Sequence, residues 1–370
     1  MLLLAQAHWL AGALNPTHTA CALHALGDIA STRARGRRAA QQLLQDPRVQ
    51  LLLRLAVQEE PGGCAPDAGH LASSLRGLAL LRAQPLPTWQ AAWERRAEAL
   101  ALDGRFPARE LCGCVWSYAT LRLHAGVAWQ SAAEALTVRY AEAHQLALPE
   151  LAALFWASGR GAAPPGRTAR LALLQAAACA ADGAAAHQEA LPPREVANML
   201  WGAASWQAGL AVSPAWALQL LAACAPRLGD ATPQELANIA WALAQLRAVP
   251  PDPFWPLFER TAQPLLPSFE PRHLSAVATA STRLRWTPSH SWRAAFESAA
   301  AHCAPHMQPH QAAALLRVWR TQRWGTPEQL LAAVQARVGP PMRASADQAP
   351  YSISRSSGTA ETDAARTEAR

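Results

Sequence analysis

The sequence predicts an all-α fold, an α-solenoid of about seven helical-hairpin repeats of 38 to 45 residues. Three observations carry that expectation. The apolar set is dominated by Ala, Leu and 15 Trp, while Ile occurs only at Ile29, Ile239 and Ile353. A sheet protein draws on more β-branched residues. Second, the chain is similar to itself at a period near 40 residues. Third, helix-start signals recur in phase with that period.

The strings Arg109 to Trp116, Pro149 to Trp156, Arg194 to Trp201 and Gln234 to Trp241 superimpose without gaps, and their Trp anchors lie 40, 45 and 40 residues apart. Weaker copies place equivalent positions at Arg76, Thr279 and Arg317, and a degenerate first copy is anchored at His24. A repeat of this length is one supersecondary unit that buries its faces only by stacking on its neighbours.

Each unit reads as two helices. Thr232-Pro233 opens a first helix with a cap and a first-turn proline, and Glu235 follows where the helix dipole favours an acid. Pro250-Pro251 is expected to stop it, with a second helix starting near Asp252 or Pro253. Thirteen residues after the anchor stands a second bulky column, Trp89, Trp129, Phe254, Trp292 and Leu330, with Trp216 two places late. The second helices are Ala-rich, at Leu171 to Ala181 and Ala217 to Ala225, which permits close approach.

The array occupies residues 63–340 in this reading. Residues 1–62 form a degenerate or truncated first repeat with an Arg-rich insertion at residues 31–38. Met1 to Gly12 reads as the second helix of a preceding unit, so the array is expected to begin in mid-repeat. Residues 341–370 carry few bulky apolar groups and read as a disordered tail.

Helical arithmetic divides the first helix into faces. With the anchor at zero and about 100 degrees per residue, Leu111, Cys114, Val115, Leu154, Phe155, Met199, Leu200, Ile239 and Leu243 share one arc, the expected core. A second face collects the positions seven before, three before and four after the anchor. Three before places Asn198 and Asn238, two of only three Asn in the chain, at one repeat position. Either they hydrogen-bond the adjacent unit's backbone or they read a base edge. Four after gives Thr120, Arg160, Ser205, Gln245 and Arg283, a column that varies from unit to unit as a reader of sequence must. The Trp anchors themselves read as packing between helices.

Charge adds a further column. The 33 basic residues are all Arg, and the net charge is +7. Six after the anchor stand Arg82, Arg122, Arg247, Arg285 and Arg323, in five of seven units. One account is a cation in the last helical turn complementing the dipole. The other is a charge ladder spaced by one repeat, suited to the phosphates of an extended single strand.

Catalytic chemistry finds little support. Pro305 and Pro309 interrupt the His302, Cys303, His306 and His310 cluster, and no second ligand group completes a zinc site. Cys112 and Cys114 point in different directions on one helix and read as small packing residues. Phosphate-binding glycine loops and nucleophile elbows are absent. No enzymatic activity and no cofactor are expected. No segment is apolar over the length of a membrane span. Seven scattered Cys form no disulfide framework.

The strings Leu191 to Trp201 (LPPREVANMLW) and Thr232 to Leu246 (TPQELANIAWALAQL) resemble octotricopeptide repeats and are similar to the helical region of FAST-kinase-like proteins. The resemblance implies a solenoid that binds single-stranded RNA in a mitochondrion or chloroplast, acting in transcript processing, stability or translation, with other organellar RNA-processing proteins as partners. Several copies lack the Trp and Asn, and no C-terminal RAP-like domain follows, so a nuclease role is not implied. The competing reading is a protein-binding scaffold of the HEAT or armadillo kind. As an RNA reader, the Arg column would hold phosphates, and the four-after column with Asn198 and Asn238 would meet bases, at about one base per repeat.

Overall fold

The computed structural model describes residues 15–32, 42–57, 65–161, 165–206, 211–324 and 326–338. The expected tail, residues 1–12, residues 33–38 of the Arg-rich insertion, and positions 162 and 207 of the Arg column lie outside them. All regular structure among the described residues is helical.

The helices form two layers. The front layer holds α1 (Pro16–Thr32), α3 (Ala68–Leu81), α5 (Ala108–Leu121), α7 (Leu148–Arg160), α9 (Pro193–Ser205), α11 (Pro233–Leu246), α13 (Pro271–Arg283) and α15 (Pro309–Gln322). The back layer holds α2 (Pro47–Leu55), α4 (Pro87–Leu102), α6 (Val127–Glu142), α8 (Arg167–Ala186), α10 (Pro214–Cys224), α12 (Phe254–Ala262), α14 (His290–Cys303) and α16 (Glu328–Val338). Each front helix packs on the front helix of the next unit. Back helices do the same, through short 3-10 turns at Ala225–Asp230 and Gln263–Ser268 in the later units. This is the α-solenoid that the period requires. The first repeat belongs to it, since α1 packs on α3 as the later front helices pack on one another.

The core lies between the layers, where the helical arithmetic placed it. Leu111, Cys114, Leu154, Phe155, Met199, Leu200, Ile239 and Leu243 are all buried, and Val115 is half-buried. The second bulky column is buried as well, from Trp89 to Leu330. Two of its indoles also bond across units, Trp89 Nε1 donating to the Leu53 carbonyl at 2.6 Å and Trp216 Nε1 to the Leu174 carbonyl at 3.0 Å, whereas Trp292 Nε1 is buried without a partner. A buried indole N–H usually takes such a partner.

Helix starts follow the predicted chemistry. Glu235 N donates to Thr232 Oγ1 at 3.4 Å, and Thr232 N donates to Glu235 Oε2 at 2.8 Å, a reciprocal cap. Helix ends differ from expectation. Pro250 does not stop α11; the chain leaves the helix earlier, at Arg247, with φ at 53°. The Arg247 N–H then bonds the Ala244 carbonyl, and Ala248 N–H the Leu243 carbonyl, which satisfies the orphan carbonyls of the last turn. Arginine carries no sequence signature of a helix stop, so the boundary was invisible.

Close approach of front helices rests on small residues one place after the anchor. A Cβ on Gly77 would meet the Leu23 carbonyl oxygen at 2.5 Å, and one on Gly202 would meet that of Phe155 at 2.1 Å. Back helices are tied by acids instead. The Glu94 carboxylate accepts from Gly126 N, that of Glu259 from Ser289 N and that of Glu297 from Gln329 N. Each sits five residues after the bulky column and holds the start of the next back helix, where the dipole favours an anion.

Candidate nucleic-acid interface

The exposed face of the front layer carries a groove of about 660 Å³ running across α5, α7, α9 and α11. Its lining joins the seven-before column (Arg109, Pro149, Arg194, Gln234) to the three-before column (Gly113, Ala153, Asn198, Asn238), with Arg76, Trp116 and Trp156 beside them. One turn separates each of these positions on a helix, so they share a face. Stacking in register makes that face continuous.

The Trp anchors serve this face more than the interior. Trp116, Trp156, Trp201 and Trp241 are half-buried, whereas the second bulky column is buried. Trp116 and Trp156 stack across units with centroids 6.4 Å apart and planes at 28°. Trp201 and Trp241 also lie 6.4 Å apart, at 35°. The Arg76 guanidinium lies 5.3 Å from the Trp116 centroid, and that of Arg160 lies 5.3 Å from the Trp156 centroid. The expected packing between helices is observed, and each ring in addition keeps a side partly open to solvent. The anchor sits at the margin of the apolar arc, and hydrophobicity alone does not reveal that margin.

Arg82, Arg122, Arg247, Arg285 and Arg323 form a row along the C-terminal ends of the front helices. All five are exposed and all five have left-handed backbone, with φ between 52° and 55°. Identical conformation at equivalent points of stacked units gives the row its regularity. Their backbone N–H groups help close the helix ends at Arg82, Arg122 and Arg247, but none of the five guanidinium groups makes a hydrogen bond or ion pair among the described residues. Their position meets the helix-dipole account. It leaves the residue choice unexplained, because glycine occupies left-handed backbone without the Cβ penalty of roughly 1 kcal/mol or more. At the end of α7, partial burial, then the charges of Arg122 and Arg82, pull the Arg160 guanidinium below its ordinary value.

Acids in the groove are mostly committed elsewhere. Glu150 accepts from Ala147 N and Glu235 from Thr232 N, so both cap their own helices. Glu195 follows Pro192, which has no N–H to offer. Arg76, Arg109 and Arg194 balance these three carboxylates. The uncompensated cations therefore lie outside the groove lining, at the C-terminal ends of front helices, with Arg122 on α5 and Arg247 on α11 the members that end groove helices.

The two candidate base-reading columns differ from expectation. Thr120 Oγ1 is buried with no partner, so it does not face the groove. Ser205 Oγ donates to the Trp201 carbonyl of its own helix at 2.8 Å. Arg283 Nη1 donates to Gln245 Oε1 at 2.5 Å across units, and Arg160 lies on Trp156. The four-after column is thus largely spent on internal contacts, because its side chains fall near the end of the helix and fold back on it. Asn198 and Asn238 behave in the opposite way. Both line the groove half-buried, and neither amide bonds the adjacent backbone among the described residues. Each amide offers two donor and two acceptor functions to a ligand.

Among the described residues no group of three His, Cys, Asp or Glu side chains is placed to hold a metal ion. His302, His306 and His310 are exposed and apart from Cys303, whose Sγ donates to the Phe269 carbonyl at 3.1 Å. Burial raises the thiols of Cys112, Cys114 and Cys224, the last to about 12. Thiolates are the reactive species. Native protein at neutral pH is expected to be alkylated at exposed Cys21 and spared at Cys112, Cys114 and Cys224, as peptide mapping after iodoacetamide would show. Prompt labelling of Cys112 would contradict the packing assignment. No helix among the described residues is long and apolar enough to cross a membrane. No family model matches the chain, and no characterised protein matches it significantly.

Proposed function

We propose that the front-layer groove binds single-stranded RNA, with the sugar-phosphate backbone following the arginine row and the bases turned toward the Trp-lined floor. The observation that carries this reading is the row itself: five exposed guanidinium groups without a partner among the described residues, at the same position of five units, in a backbone conformation that disfavours their residue type. A guanidinium fork matches phosphate oxygens in pairs and is only weakly hydrated. The octotricopeptide-like strings support the same reading and extend it to organellar transcripts and their processing proteins. The chain acts here as a binder; no catalytic step is assigned to it.

Neutralising about five phosphates of a single strand releases counterions, so log affinity should fall against log salt with a slope near ~-3.5. Filter binding of a labelled single-stranded RNA between low and moderate salt measures it. A flat response would remove the phosphate role from the row. A purified chain that retains no RNA but captures an extended peptide in this groove would instead make it a protein-binding scaffold.

A further inference from the structure

The four groove helices carry two pairs of half-buried rings, Trp116 with Trp156 in the groove lining and Trp201 with Trp241 on α9 and α11, set wider apart than the stacked rings of the core. Half-buried Trp255 stacks on buried Trp286 at 4.4 Å, Trp292 on Phe296 at 4.7 Å, Phe296 on Trp319 at 5.7 Å and Phe155 on Trp216 at 5.8 Å. The groove pairs stand at 6.4 Å. Stacked nucleobases are about 3.4 Å apart, so a base held between two rings needs roughly twice that separation. The groove pairs come within a few tenths of an ångström of it, and each ring sits on its own front helix, so a small shift between units supplies the rest.

We propose that Trp116 with Trp156, and Trp201 with Trp241, are two slots that each take one unpaired nucleobase between their rings. This rests on the RNA-binding reading above. The row of cations fixes the occupant's class: a planar group attached to an anionic backbone, rather than an apolar peptide side chain. Arg76 lies over the Trp116 ring and Arg160 over the Trp156 ring, so each ring of the first pair already carries a cation on one face. A base entering between the rings extends a stack that the chain has already begun.

The two slots differ in what stands one turn away. At the first slot Gly113 leaves open space, for a Cβ there meets nothing within 4 Å. At the second, the unspent amides of Asn198 and Asn238 flank the rings. A side-chain amide pairs in two-point fashion with a base edge, adenine above all. The first slot is therefore tolerant of base identity and the second selective. With one nucleotide per unit, the two clamped bases are two nucleotides apart along the strand.

The test uses the unmodified protein and a set of seven-nucleotide single-stranded RNAs, each with one abasic position. Affinity should fall roughly tenfold to a hundredfold at two positions, two nucleotides apart, and stay nearly level at the others. Changing the base should matter at only one of those two, and Asn198→Ala with Asn238→Ala should erase that preference without removing binding. Trp241→Thr is a suitable partner variant, because the next unit carries Thr279 at the equivalent position and folds around it. It should melt as the parent does and lose sensitivity at one abasic position. RNA that binds with every abasic position tolerated would overturn the slots and leave the phosphate track standing. Failure to bind any single-stranded RNA would overturn both.

Discussion

Replacing Arg82, Arg122, Arg247, Arg285 and Arg323 together by Gly is expected to abolish most RNA affinity while leaving the fold as stable as before, or more so. The two effects have separate origins. Losing about five phosphate contacts removes a term that at ~0.1 M salt is worth roughly three orders of magnitude in affinity, and it flattens the salt slope. In the fold, each Gly relieves left-handed strain of about 1 kcal/mol. Each also forfeits a helix-end cation worth about 0.3 to 1 kcal/mol. Those terms nearly cancel. Filter binding and thermal melting of the same preparation read the two sides. If the row were only a set of helix caps, the variant would melt lower and bind RNA unchanged.

Gly202→Ala should destabilise the array by about 2 to 4 kcal/mol, although alanine is the better helix former by about 1 kcal/mol. The added Cβ would lie 2.1 Å from the Phe155 carbonyl oxygen and 2.4 Å from its carbon. Both are backbone atoms of α7, and neither can rotate away. The helices must separate, and with them goes close packing between two neighbouring units. In a solenoid, stability is a sum over units and their interfaces, so weakening one interface divides the array. Urea unfolding followed by circular dichroism should show two transitions in place of a broad single one. Gly183→Ala provides the contrast, because its Cβ meets nothing within 4 Å and the substitution should be neutral or stabilising. Equal behaviour of the two variants would contradict the close approach of α7 and α9.

Much of this architecture is legible in the sequence because local chemistry repeats. The Thr232 and Glu235 cap, the buried arc from Leu111 to Leu243 and the second bulky column follow from helical spacing, which survives wherever one face is buried. What depends on distant atoms was not legible. The contact of Gly202 with Phe155 has no local sign, and neither does the hold of Glu94 on Gly126. Arg247 ends its helix by a backbone conformation that its residue type opposes, so the row's geometry was hidden although its spacing was plain. The groove face was found correctly through the seven-before and three-before columns. Its detail was not legible: Ser205 is spent on its own helix and Gln245 on Arg283, while the amides of Asn198 and Asn238 stay open, one of the two roles their repeat position allowed.

RNA binding by this chain requires Arg82, Arg122, Arg247, Arg285 and Arg323 to lie on one track across the stacked units, with a nucleotide step that matches the repeat. Measuring affinity for single-stranded RNAs of increasing length, from three to twelve nucleotides, by fluorescence anisotropy tests that register most directly. Affinity should climb with each nucleotide and level off near about seven, one per unit. A chain that ignored length, or bound a structureless polyanion such as polyphosphate equally well at the same charge, would contradict it.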